Sequence, residues 1–310
     1  MTVIGISPTV DFAFKLMLGS PEHVRVTIHF LNAILSPWLR IKSVQIQNPF
    51  LSKENEDDKL SVLDVLAVDQ EGRMLNIEMQ TTLPAGMNKR LVYHGARLYG
   101  GQLTEGDRYT ALHPAIIICV LTKPMYSEAG ELHLEFRLRD STGRILTDDL
   151  QIHLLQLSKL DVTAQNVAQA SPIEQWAFFM LNADKMTVEE VKRLFPDPEF
   201  AEAAGVLVMI SKTPEQQMQY DARRKFQMDE AARLELVELA RNEGLSEGRS
   251  EGEAKGVQKG ILLGRIALLE ELLGEPVRSS SDLSQFNEIQ LSQLAEQLQI
   301  QLRNRGQIQN

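Results

Sequence analysis

The run Ala115 to Leu121, AIIICVL, constrains the fold of this chain more than any other segment. It is far shorter than the roughly 18 apolar residues that a membrane span needs. It also lacks the alternation of a strand with one wet face. It therefore reads as a strand buried on both faces at the centre of a sheet, the pattern of sheets covered by helices. Cys119 lies inside this run and reads as a small buried hydrophobe. It is the only cysteine, which excludes an intrachain disulfide framework or a thiolate zinc cluster and suits a reducing cytoplasm.

Around this strand the first half of the chain alternates helix and strand signals. Val10 to Leu18 has helical spacing and stops at Gly19. Ser20-Pro21 suits the start of a second helix carrying Val24, Ile28, Leu31 and Leu35 up to Pro37. Ile41 to Phe50 alternates as a strand and runs into the acidic loop Lys53 to Lys59. Ser61 to Val68 and Met74 to Gln80 are β-rich and are separated by Asp69-Gln70-Glu71-Gly72-Arg73, where Gly72 suits the left-handed position of a hairpin loop. Pairing Asp69 with Arg73 sets the register. Counting back five residues on each strand then places Asp64 opposite Glu78, with Cβ atoms about 5 Å apart and Gln80 on the same face.

Asn88 to Leu103 reads as a helix, with Leu91, Gly95 and Leu98 on one side and Arg90, Tyr93, His94 and Arg97 toward another. Leu132 to Arg139 and Leu150 to Leu157 alternate as strands about a turn at Ser141 to Arg144. After Ser171-Pro172 the pattern is wholly helical, over Ile173 to Leu181, Thr187 to Phe195, Ala201 to Ile210 and a long tract from Pro214 to Leu273. In that tract glycine recurs at 244, 248, 252, 256, 260 and 264. Each helical glycine costs roughly 1 kcal/mol relative to alanine. Six of them call for close helix-to-helix contact, most simply self-association, with a flexible linker as the competing reading. A last helix is expected over Ile289 to Leu302.

The net charge of -10 argues against a basic surface spread over the whole molecule. Residues 1 to 165 hold 16 Lys and Arg against 19 Asp and Glu, and the remainder 16 against 23, so most of the acidity lies in the second half. A local basic groove in the first half is compatible with this balance. The N-terminus has neither a basic n-region nor a cleavage site, so secretion is not expected.

Asp64 is the lone polar residue on a strand face otherwise made of Val62, Leu66 and Val68. Two buried carboxylates side by side either lose a charge or recruit a cation. Oxygen ligands of this kind suit Mg²⁺, which keeps waters that a phosphate can displace. A cross-strand polar pair satisfied by other side chains is the competing reading. The segments TVDFAFKLMLG, KLSVLDVLAVDQEGRMLNIEMQ, RLVYHGARLYGGQL and HPAIIICVL occur in this order ahead of a glycine-period helix. In that order the chain resembles the Rpn family of recombination-promoting nucleases, transposase-like members of the PD-(D/E)XK superfamily.

The resemblance implies an α/β fold, a restriction-endonuclease-like mixed sheet flanked by helices, followed by an all-α C-terminal extension. It implies a nuclease-like domain over 1–165, a helical linker region over 166–212 and the long helical extension over 213–310. It further implies a Mg²⁺-dependent DNA endonuclease with Asp64 and Glu78 as metal ligands and Asp11 as an accessory one. Gln80 would take the position of the superfamily's lysine, and Lys15, Arg90 and Arg97 would hold the DNA backbone. Asp11 also fits a plain role near a helix N-terminus, and the two arginines fit a solvated helix face. DNA and further copies of the chain are the partners expected. A nuclease-fold protein that binds DNA or a protein without cutting is the alternative, and an assembly protein built on the glycine helix is a third.

Overall fold

In the computed structural model, residues 2–35, 39–47 and 65–308 are described. The elements in chain order are α1 (Asp11–Leu18), α2 (Val24–Ile34), β1 (Val44–Ile46), β2 (Val65–Asp69), β3 (Met74–Gln80), α3 (Met87–Gly100), β4 (Ala115–Leu121), β5 (His133–Arg139) and β6 (Ile145–Gln156). They are followed by α4 (Pro172–Asn182), α5 (Val188–Leu194), α6 (Pro198–Lys212), α7 (Pro214–Leu273) and α8 (Glu288–Ile308). The described residues divide into two compact units, one ending at Ala232 and one beginning at Arg233.

The first unit is built on a six-stranded mixed sheet of order β1-β2-β3-β4-β6-β5. Strand β4 is parallel to both its neighbours, β3 and β6, and all seven of its residues are buried. The apolar run is thus central, as its composition requires. Its alternate residues feed two cores. Ile116, Ile118 and Val120 face α1, α2, α4 and α6, while Ala115, Ile117, Cys119 and Leu121 face α3. α3 packs closely because Gly95 has no side chain: a Cβ there would lie 2.7 Å from Leu150 Cδ1. A mixed sheet with helices on both faces and a helical C-terminal region is the restriction-endonuclease-like architecture expected.

The β2–β3 hairpin has the expected register, with Val65 opposite Ile77, Leu66 opposite Asn76 and Val68 opposite Met74. Gly72 at φ +79° supplies the left-handed turn. Its Cα also lies against the His113 ring, which a Cβ would approach to 2.7 Å. The expected strand over Ile41 to Phe50 is regular only over Val44–Ile46 among the described residues. Strand β6 begins at Ile145 rather than Leu150, because the hairpin turn at Gly143 delivers the chain directly into pairing with β5. Ser20 does not cap α2 with its side chain. Its hydroxyl bonds Glu22 instead, and the chain enters α2 through a short 3-10 turn at Pro21–His23.

The segment 172–212, expected as part of a linker, supplies Trp176, Phe179, Phe195, Phe200 and Leu207 to the same core as α1 and α2. Capping boxes at Ser171 with Glu174 and at Thr187 with Glu190 fix where α4 and α5 begin. The first turns of α7 are tied down by Tyr220, which is 1% exposed and whose hydroxyl accepts the Ser7 N–H at 2.9 Å. In the second unit, Ile266, Leu269 and Leu273 of α7 pack on Leu291, Ala295 and Leu298 of α8, with Leu283 between them. The buried Glu270 of that unit pairs with Arg278 at 2.6 Å. Among the described residues, no helix is long and apolar enough to cross a membrane.

Candidate active site

Asn76, Glu78 and Gln80 occupy alternate positions of β3 and so share the face of the sheet that α3 covers. Asn76 and Glu78 are fully buried. Asn76 Nδ2 donates to Glu78 Oε1 at 2.7 Å, but Glu78 Oε2 is buried without a hydrogen bond among the described residues. Arg90 of α3 brings Nη2 to 3.9 Å from it, too long for a hydrogen bond. Burial pushes the Glu78 carboxyl above its ordinary value of 4.5, against the opposing pull of Arg90, Asn76, Gln80 and Lys15. An orphaned carboxylate oxygen on a buried strand face is a costly arrangement unless something else binds it.

At the C-terminal end of β3 lies a cavity of 210 Å³ lined by Asp11 and Lys15 from α1, Gln80 from β3, Thr81 and Thr82 after it, Arg90 from α3, and Arg223, Gln227 and Glu230 from α7. The structure therefore gathers Asp11 and Lys15 of α1, Gln80 of β3 and Arg90 of α3 around one cleft. Arg97 lies two turns beyond Arg90, exposed, with Nη1 donating to Tyr93 Oη at 3.2 Å. Asp64 lies outside the described residues. Asp11 is held twice: Oδ1 accepts the Phe12 N–H at 2.8 Å, and Oδ2 lies 3.2 Å from Arg223 Nη2. His94 on α3 is buried, and burial, with Arg90 and Arg97 nearby, lowers its pKa and keeps it neutral.

Sequence reasoning missed Asn76 and the wall contributed by α7. Asn76 had a readable signal, since it begins a polar alternation with Glu78 and Gln80 inside an otherwise apolar strand. Arg223, Gln227 and Glu230 share one helix face at steps of four and three residues, but nothing local ties that face to β3.

The model of the PD-(D/E)XK nuclease family transposases matches residues 8–236, which include every residue named at this cleft. The chain belongs to that family. No curated protein and no solved structure gives a significant match. The family match extends through the first turns of α7, so the wall that α7 contributes falls within it.

The donor set fits a hard divalent cation. Among the described residues, Glu78 offers one oxygen without a hydrogen bond, and Asp11 offers an oxygen that faces Arg223. Among the described residues, no group of three or more His, Cys, Asp or Glu could hold a metal. A metal site here would need oxygen donors beyond these, and Asp64 is the residue that the hairpin register nominates.

Proposed function

We propose that this protein is a divalent-metal-dependent endonuclease that hydrolyses DNA phosphodiester bonds, with Mg²⁺ as its ion. The observation that carries the reading is the buried Glu78 Oε2, which has no hydrogen bond among the described residues and lies 3.9 Å from the Arg90 guanidinium. Asp64 and Glu78 would be the main ligands and Asp11 an accessory one. When bound, the ion would lower the pKa of a coordinated water and neutralise charge developing on the phosphate. Gln80 would orient the attacking water through its amide, which can donate and accept but carries no charge. Lys15 and Arg90 line the cleft and Arg97 extends the cationic face of α3, a placement that supports phosphate-backbone contacts.

The test is cleavage of supercoiled plasmid with Mg²⁺ and with EDTA by wild type, Asp64→Ala and Glu78→Gln. Each substitution is expected to lower the rate at least 100-fold, and wild-type activity in either variant overturns the assigned site. A second reading is favoured by the uncharged Gln80 and the net charge of -10: a nuclease-fold protein that binds DNA or a protein without cutting it. DNA binding that weakens steeply with salt, without cleavage, would support that reading.

Homo-oligomerisation through the C-terminal helices and a cytoplasmic setting belong to the proposal. Glycines 244 to 264 support the former, since a Cβ at each would meet nothing within 4 Å among the described residues, and the apolar Leu245, Val257 and Ile261 are exposed on the same helix.

A further inference from the structure

Among the described residues, the cations Lys15, Arg90 and Arg223 line the cleft beside Glu78. Arg90 faces the buried Glu78 carboxylate, so moving it would leave that charge less compensated. Arg223 is differently placed. Its side chain is 47% exposed, and it faces Asp11, whose other oxygen is already satisfied by the Phe12 N–H. It also borders a second cavity, of 850 Å³, lined in addition by Phe12, Leu16 and Ile46, so it faces open space on two sides. Its backbone is fixed one turn away by Tyr220, which is buried and bonded to Ser7. A rigid root, an exposed guanidinium and a partner that is itself a candidate metal ligand make a residue that can exchange one anion for another. A guanidinium's planar fork of donors matches phosphate oxygens.

We propose that Arg223, carried by α7, is a phosphate-holding residue of this site, and that its ion pair with Asp11 is the arrangement before a divalent ion binds. The inference rests on the proposed function. With a divalent cation on Asp11, the carboxylate no longer holds the guanidinium, which turns to a non-bridging oxygen of the DNA backbone. The first turns of α7 are then part of the substrate-binding surface rather than only the start of an extension.

The test measures binding of a fluorescent DNA duplex by the full chain across a salt series, in Ca²⁺ and in EDTA, for wild type, Arg223→Gln and Arg223→Lys. One phosphate contact changes the slope of log K against log salt by roughly 0.9. In Ca²⁺ the slope for Arg223→Gln is expected to be shallower than wild type by about that amount, with Arg223→Lys close to wild type. In EDTA the three should coincide, because Arg223 is then on Asp11. Thermal melting checks that each variant folds. Equal slopes in Ca²⁺, or no DNA binding by the wild type, overturn the inference. In the cleavage assay, full activity in Arg223→Gln beside an inactive Asp64→Ala would overturn this inference alone. Full activity in Asp64→Ala would overturn the assigned site, and the binding slopes would still decide the role of Arg223.

Discussion

The β2–β3 and β5–β6 hairpins are closed by the same five-residue device, Asp69 to Arg73 in one and Asp140 to Arg144 in the other. In both, the aspartate Oδ1 accepts the N–H groups two and four residues on, at 2.9 and 3.0 Å in the first and 2.8 and 2.9 Å in the second. Its Oδ2 takes the arginine Nε, and a glycine fourth in line sits at positive φ. The surroundings differ. The Asp69 and Arg73 side chains are 0% and 6% exposed, whereas Asp140 and Arg144 are 38% and 83% exposed. The first hairpin keeps its register from the turn to Val65, while the second shifts register at Leu138. On the strands that follow or precede these turns, Glu78 is buried with an oxygen unsatisfied, while Glu135 is exposed and paired with Arg137. Local chemistry makes the turn in either setting. Burial decides what a carboxylate beyond it can do.

The largest expected effect separates the two arginines. Arg73→Ala leaves the buried Asp69 uncompensated and should cost about 3–5 kcal/mol of unfolding free energy in a denaturant titration. Equal effects of Arg73→Ala and Arg144→Ala would break the comparison.

Next come the glycines. Gly72→Ala and Gly143→Ala each place a Cβ at positive φ and should each cost about 1–2 kcal/mol. The His113 ring near Gly72 belongs to an exposed residue and can swing aside, so near-equal losses are expected. A much larger loss at Gly72 would show that the turn is not a local device.

Smaller again is the effect of neutralising Glu78. Burial raises its pKa, so the folded chain holds a proton that the unfolded chain releases as pH rises through 4.5. Stability is therefore lost between that pH and the folded pKa. At neutral pH in EDTA, Glu78→Gln should melt a few degrees above wild type, and the two should converge near pH 4. Mg²⁺ should raise the melting temperature of the wild type but not of the variant. A less stable Glu78→Gln at neutral pH would contradict the reading of an uncompensated carboxylate.

The smallest effect falls on Asp140, held near a pKa of about 2 by hydrogen bonds from Thr142 and Arg144. Arg144→Ala should raise that value in an NMR titration without a measurable change in melting temperature.

The sequence carried the β2–β3 register because one glycine and one turn length determine every pairing behind them, which puts Glu78 and Gln80 on one face. It carried the centrality of β4 because only a strand covered on both faces is apolar throughout. It carried less about α4 to α6, whose helical spacing is clear but whose burial against α1 and α2, as where Trp176 meets Phe30, depends on distant partners. Arg223 was illegible for the same reason. Its approach to Asp11 arises from the anchoring of α7 by Tyr220, a contact spanning more than two hundred residues. Asp64, nominated by the register, lies outside the described residues.

Cys119 sits in the middle of β4 with no exposed surface, flanked by β3 and β6 and covered by α3. A thiol reagent can reach it only when the centre of the sheet opens. Since it is the single cysteine of the chain, its alkylation rate is a clock for those openings, running in the native protein with no label added.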